Sequence, residues 1–271
     1  MEWTEEAKET ISRVPFFVRK RVRRKVEEEA ARSGADVVTL EHVRSCQRNF
    51  LNRMEDDVVG YRIETCFGPG GCPNRVILSD DLPRKLERDI SKRDLKTFLR
   101  ERVGGPLKMH HEFRISISDC ANACSRPQIA DIGLLGASVP EMSNQDCSQC
   151  GNCVEICQEK ALSLKDGSPI IDKSRCLSCG QCILVCPTQT LMEKATGYRI
   201  QVGGKLGRHP RLATELPGIY QTGDVLGIIE NCLDYYQVEC QKGERFGEIL
   251  ARIGFNQFKN QLKQKQDRQT L

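Results

Sequence analysis

The sequence predicts an α+β protein: a mixed sheet with flanking helices, a small α+β insert, and a short N-terminal helical module. Three observations carry this expectation. Strand-like alternation recurs near residues 57–66, 113–117 and 198–202. Two four-cysteine runs interrupt it within residues 140–194. The first 55 residues instead show helical periodicity. The expected divisions are therefore 1–55, 56–139, 140–194 and 195–271, with the second and fourth forming one interrupted domain.

Composition narrows the function class. A chain of 271 residues with 39% hydrophobic content can bury a core. A net charge of +4 makes no demand for nucleic acid. No apolar stretch approaches the roughly 20 residues that cross a bilayer. The opening Met1-Glu2-Trp3-Thr4-Glu5-Glu6 is acidic rather than signal-like, so the expectation is a cytoplasmic protein with no membrane span. The 15 cysteines lie mostly in groups too tight for disulfide pairing, which favours metal binding in a reducing, low-oxygen setting.

In chain order, residues 4–13 read as a helix ended by Pro15. A second helix follows, with Val18, Val22, Val26 and Ala30 as its apolar stripe and Ser33-Gly34 as its stop. Its other face carries Arg19 to Lys25 ahead of Glu27 to Glu29, a pattern that suits a solvated face with internal ion pairs or a docking surface for an acidic partner. Val37-Val38 reads as a short strand, and Thr39 caps a third helix reaching about Met54. Residues 57–66 run as a strand into Cys66, and the glycines before Cys72 let backbone approach a bulky inorganic centre. Residues 80–102 read as helical; Phe113, Ile115 and Ile117 then alternate with polar residues in a strand that delivers Cys120. Residues 129–135 form another apolar strand. After the insert come a strand at 198–202, a basic glycine-rich loop at 203–211, a long helix from Asp224 to Gln241, a break at Gly243, a shorter helix, and a polar, frayed end.

The insert carries the strongest signal. Cys147, Cys150, Cys153 and Cys157 form C-x2-C-x2-C-x3-C, and Cys176, Cys179, Cys182 and Cys186 repeat it, ending in Pro187. This is the bacterial ferredoxin pattern, in which the fourth cysteine of each run ligates the other cube. Cys147, Cys150, Cys153 and Cys186 are thus expected to hold one [4Fe–4S] cluster, and Cys176, Cys179, Cys182 and Cys157 a second. A structural zinc module has no need of the doubled run. Cys66 and Cys72 (C-x5-C) with Cys120 and Cys124 (C-x3-C) suffice for a third cluster. Cys46, Cys232 and Cys240 remain as buried thiols.

Two resemblances give these parts a context. Trp3-Thr4-Glu5-Glu6-Ala7, Val14 to Arg19 and Val37-Val38-Thr39 resemble the small C-terminal domain of a light-independent protochlorophyllide reductase subunit. Here the module carries no catalytic constellation, and a docking or cofactor-proximal role is expected. Over residues 57–258, Thr65-Cys66 with Cys72, Ile117 to Cys120 with Cys124, Asp131-Ile132-Gly133, the 203–208 loop and Gly243 to Gly247 resemble the sirohaem domain of sulfite and nitrite reductases. The ferredoxin insert is similar to that of the dissimilatory and anaerobic sulfite reductases. The resemblance implies that Cys66, Cys72, Cys120 and Cys124 hold a cubane, and that Cys124 bridges it to a sirohaem iron. It also implies basic groups for the sirohaem carboxylates and for a small oxyanion substrate. The candidates are Arg62, His110, His111, Arg114, Lys205 and Arg208, with Asn122 beside the bridging cysteine; His110, His111 and Arg114 are the catalytic candidates.

Members of that family contain two related halves, and this chain has one. A homodimer or a second sulfite-reductase-like subunit is therefore expected to complete the pocket, with a separate electron-donor protein. The leading expectation is a sirohaem-dependent oxidoreductase acting on sulfite, nitrite or a related oxyanion. Two alternatives stay open: an iron–sulfur electron-transfer subunit without sirohaem, and a non-catalytic tetrapyrrole carrier.

Overall fold

In the computed structural model, which describes residues 1–269, the chain forms two compact units. The first comprises residues 1–59 and 103–110. Strand β1 (Glu2–Trp3) pairs in parallel with β2 (Val37–Val38), and helices α1 (Glu5–Ser12), α2 (Phe16–Arg32) and α3 (Leu40–Asp56) accompany them. Thr4 starts α1 by accepting from the Ala7 amide, as an N-cap residue does. The expected stripe on α2 reaches the core through Val26 and Ala30, which pack with Trp3, Ala7, Ile11, Val38 and Val43. The Trp3 indole N–H donates to Glu27 at 2.9 Å. Phe16 and Phe17 stand in solvent at the start of α2.

The second unit is organised by a five-stranded sheet in the order β3-β4-β5-β8-β9. Strands β3 (Tyr61–Thr65), β4 (Phe113–Ser118) and β5 (Ile132–Met142) are parallel; β8 (Leu191–Val202) and β9 (Thr214–Glu215) run antiparallel to their neighbours. This is the expected mixed sheet. Alternation gives β4 two different faces. Phe113 faces helices α8 (Thr222–Glu239) and α9 (Phe246–Ile253), its ring 4.9 Å from Tyr236 and 5.7 Å from Phe246. Phe258 of α10 (Phe255–Gln269) extends this aromatic core, 5.5 Å from Phe246. Arg114, Ser116 and Ser118 point to the opposite face.

Several element boundaries differ from expectation for local reasons. Residues 80–102 are two helices, α4 (Leu82–Ile90) and α5 (Leu95–Arg102), because Asp94 adopts a left-handed conformation at φ 42° between them. Strand β5 starts later than expected and runs to Met142, through Pro140. The strand expected at 198–202 is the second half of the 12-residue β8, which begins at Leu191. Pairing continues outward to Met142 with Leu191, so β5 and β8 form a long hairpin whose tip carries residues 143–190. A bulge between Val139 and Pro140 bends this hairpin at the neck. The expected C-terminal helix is two helices, and the end expected to fray is helical through Gln269; Thr270 and Leu271 lie outside the described residues.

Within the tip, helices α6 (Asn152–Glu155) and α7 (Gln181–Leu184) and the hairpin of β6 (Leu162–Lys165) and β7 (Ser168–Ile171) enclose a small core of Cys153, Leu162, Cys182 and Leu191.

Candidate iron–sulfur sites

The two cysteine runs of the tip are copies of one backbone unit set 29 positions apart. Gln149 and Ser178 share a φ of 57°, Gly151 and Gly180 have φ of 78° and 71°, and Lys160 and Gln189 have φ of 50° and 55°. These left-handed turns aim amides at sulfur in both copies. The amides of Gln149 and Ser178 donate to Cys147 and Cys176 at 3.3 and 3.4 Å. The amides of Ala161 and Leu191 donate to Cys157 and Cys186 at 3.3 and 3.4 Å. Such donors stabilise negative sulfur and tune a cluster's potential.

Cys157, Cys176, Cys179 and Cys182 line one cavity, together with Ala161, Leu162 and the backbone of Gly180. The first run's fourth cysteine is thus placed with the second run's first three, the grouping that the ferredoxin pattern implies. Burial pushes the Cys182 thiol up to about 12, and the neighbouring thiols of Cys179, Cys176 and Cys157 add to it. Four converging sulfurs, a dry wall and aimed amides fit a cubane, whose binding must displace those thiol protons.

The other four cysteines are brought together by the sheet. Because β3 and β4 are parallel, Cys66 and Cys120 emerge at the same edge, and the Cys66 amide donates to Ile117 O at 2.9 Å. Cys66 Sγ accepts from the amides of Gly68 and Asp119 at 3.2 and 3.3 Å. Burial raises the Cys120 thiol, the Asn122 amide pulls it back, and the neighbouring Cys66, Cys124 and Cys72 raise it further. Gly68 is required here: a Cβ would stand 2.2 Å from a carboxylate oxygen of buried Asp119. Cys120 is buried, Cys66 and Cys72 are half-buried, and Cys124 is exposed. Among the described residues no three His, Cys, Asp or Glu side chains are grouped for a single metal ion.

After Cys124 the chain folds back over the polar face of the sheet. Ser116 Oγ donates to Ser125 O at 2.7 Å, and Ser118 and Ser125 share a hydroxyl contact of 2.7 Å. Gly133 admits the returning strand, since a Cβ there would lie 2.3 Å from Pro127 O. This fold-back creates a small pocket lined by Glu64, Arg114, Ser125, Arg126, Ala130 and Leu206. It joins four segments: β3, β4, the loop after Cys124, and the glycine-rich loop, where Gly204 packs on the carbonyls of Gln128 and Ala130.

The basic candidates divide by position. Arg114 lines this pocket and pairs with Glu64 at 2.8 Å. Arg62 pairs with buried Glu112 at 3.4 Å. Lys205 pairs with Glu248 at 2.5 Å and anchors the glycine-rich loop on α9, so that Arg208 and His209 project at its exposed tip. Asn122 is exposed between Cys120 and Cys124. The structure does not bring His111 to the cysteines: it precedes β4, whereas Cys120 follows that strand, about 20 Å away at the opposite edge. His110 belongs to the first unit. Arg126 escapes sequence reasoning, although it follows Cys124 by two positions; it is exposed, left-handed at φ 61° and lines the pocket. Arg245 stands in the sequence only as part of a motif. It is a half-buried strut whose guanidinium pairs with buried Asp131, and Asp131 also accepts from the Arg114 and Phe246 amides at 2.8 and 3.3 Å. Of the spare thiols, Cys232 and Cys240 are buried, and Cys46 is half-buried in the first unit.

Comparison with known proteins agrees with this geometry. A model of the nitrite and sulphite reductase 4Fe-4S domain matches residues 62–270. The chain belongs to that family. A model of the proto-chlorophyllide reductase 57 kD subunit matches residues 3–46. Among curated relatives, a coenzyme F420-dependent sulfite reductase of Methanocaldococcus jannaschii is 30% identical over 234 residues, covering 86% of this chain and 35% of that protein. One subunit of the anaerobic sulfite reductase of Salmonella typhimurium is 28% identical over 226 residues, covering 78% of this chain and 62% of that protein. The chain therefore spans about a third of the first relative and under two thirds of the second. The crystal structure of dissimilatory sulfite reductase I shares the fold, with a TM-score of 0.53 and 18% identity over 80% of this chain and 57% of that one. No helix among the described residues is long and apolar enough to cross a membrane.

Proposed function

We propose that this chain is the cluster-bearing half of a sulfite-reductase-type enzyme, holding three [4Fe–4S] clusters and a sirohaem and reducing sulfite, nitrite or a related small oxyanion. The observation that carries it is that the parallel strands β3 and β4 bring Cys66 and Cys72 beside Cys120 and Cys124, with Cys124 alone of the four exposed and the basic Arg114 and Arg126 pocket in the loop that follows it. When bound, the clusters would relay single electrons, and the sirohaem would bind the oxyanion and receive them.

The chain's residues have separable tasks in this reading. Cys124 is the sulfur from which a haem iron would be bridged. Arg126, Arg114 and the Arg208 tip offer cations to tetrapyrrole carboxylates or to the oxyanion. Arg114 and Lys205 already carry carboxylate partners, which hold their side chains in place before any ligand arrives. The tip's two thiol sets are ordered by their contacts with the sheet. The Ser138 amide donates to Ser178 O at 2.8 Å, and two residues earlier Gly136 lies against Asp119, the neighbour of Cys120. The set of Cys157, Cys176, Cys179 and Cys182 is thus the inner one, and the set of Cys147, Cys150, Cys153 and Cys186 the outer one, where exposed Cys150 suits entry from a donor protein. Exposure of Cys124 also supports a second copy or a related partner chain that closes the site.

Acid–acetone extraction of anaerobically purified protein should release a tetrapyrrole with the sirohaem spectrum. Reduced viologen should then drive turnover of sulfite or nitrite. Fully iron-loaded protein yielding no tetrapyrrole would leave an electron-transfer subunit instead; extractable sirohaem without turnover would leave a carrier.

A further inference from the structure

The tip is a twofold repeat, yet only its second copy is fastened to the sheet. The matching glycines show the break in symmetry. A Cβ on Gly151 would meet nothing within 4 Å, whereas one on Gly180 would stand 3.0 Å from the Ser138 Cβ. The Cys176–Cys179 loop is also tied by its carbonyls. Ser178 O accepts from the Ser138 amide at 2.8 Å, and Leu177 O accepts from Arg199 Nη1 at 3.2 Å. Arg199 is itself held by Glu215 in a two-pronged pair of 2.8 and 2.7 Å. Among the described residues, the Cys147–Cys150 loop makes no hydrogen bond to the sheet.

We propose that Ser138, Gly180 and the Arg199–Glu215 pair form a clamp that seats the inner cysteine loop on the sheet and sets the gap an electron crosses to the core cysteines. The proposal rests on the redox reading above and adds positioning residues to it. Ser138 supplies the seat because it lies on β5 between the inner loop and Gly136, the residue packed against Asp119. Arg199 supplies the lock: its planar fork is fixed by one carboxylate while a third N–H reaches the loop carbonyl. The ladder is interrupted at the neck bulge, between Ser138 and the rest of the tip, so the clamp adds the contacts that hold the inner loop at this point of the sheet. In the step served, one electron crosses, no bond forms or breaks, and the reductant is an external viologen radical.

Gly151 and Gly180 provide a matched pair for the test. Alanine at either position carries the strain of a left-handed φ, and only at Gly180 does it also press on Ser138. Full-length anaerobic wild type, Gly180→Ala, Gly151→Ala, Arg199→Gln and Arg199→Lys would be compared. The readouts are iron content, hydrogen exchange of the Ser138 amide, and rapid-freeze EPR of core reduction after mixing with substoichiometric reduced methyl viologen. Core reduction in Gly180→Ala should be at least several-fold slower than in Gly151→Ala, because electron transfer weakens steeply as the gap between centres grows. Its Ser138 amide should exchange faster while iron content is retained. Arg199→Gln, a change outside the cysteine loops, should behave likewise, and Arg199→Lys should recover part of the rate. Equal rates in the two glycine variants would overturn the proposal, as would Arg199→Gln freeing the amide with no change in rate. Wild-type protein with too little iron for three clusters would instead overturn the redox reading, and the exchange comparison would still decide whether the clamp exists.

Discussion

The tip and the sheet edge both gather four cysteines, but they do so in opposite ways. In the tip each thiol set takes three cysteines from one short run and the fourth from its repeat, with turns, amide donors and small core all encoded within one insert. At the sheet edge the four thiols come from loops after two different strands, are supported by Asp119, Gly68 and the fold-back over β4, and leave Cys124 in solvent. The difference teaches what each site is for. In the proposed reading, the sites encoded within one insert pass electrons, and the one assembled from distant strands presents the Cys124 sulfur to something larger.

The sharpest way to break this comparison is at the open thiol. Cys124→Ser should abolish haem–cluster coupling in the EPR spectrum and remove turnover, while the tip clusters keep their signals. An unchanged coupled spectrum would refute the bridging assignment. Next in size is the exchange of fourth cysteines between the repeats. Cys157→Ser should remove the inner cubane and Cys186→Ser the outer one, each leaving the other two cluster signals, as iron analysis and EPR can show. Loss of the outer cluster from Cys157→Ser would contradict the grouping around the shared cavity.

Smaller effects test the supports. Asp131 is fully buried and serves Arg245 and two amides, so Asp131→Ala removes the carboxylate that faces the Arg245 guanidinium and should cost about 3–5 kcal/mol in urea unfolding. A loss under about 1 kcal/mol would show that this strut is dispensable. Glu248 gives the least. Burial pushes its carboxyl up, but hydrogen bonds from Lys205 and the Arg245 amide outweigh this and hold it below the ordinary glutamate range. Its stabilisation is therefore present above the unfolded value of about 4.3 and is lost as pH falls through the lower folded value. Glu248→Gln should lower stability by about 0.2–1 kcal/mol at pH 7 and by less at pH 3, a narrowing that urea titrations at the two pH values would detect.

Much of this was legible in the residues because it is local. Cysteine spacing alone groups Cys157 with Cys176, Cys179 and Cys182, which line one cavity, and alternation along β4 places Cys120 just past a strand end. What was not legible depends on partners distant in sequence. The Asp94 turn splits a helical pattern without glycine or proline to announce it. The β5–β8 hairpin joins strands separated by residues 143–190, so its outer half looked like two short pieces. Arg62, Arg114 and Lys205 looked alike as cations, yet register and packing pair each with a carboxylate, Glu64 for Arg114 on the adjacent strand. Arg126 was hidden because its value comes from the fold-back that sets it beside Arg114.

Mössbauer spectroscopy of iron-57-labelled, anaerobically prepared protein bears most directly on the central proposal, that one chain carries two clusters in the tip and one at the sheet. The account predicts about twelve irons in three cubane environments, one of them altered by Cys124→Ser and two unaffected by it. Two cubane environments in the fully loaded chain, both insensitive to that substitution, would contradict it.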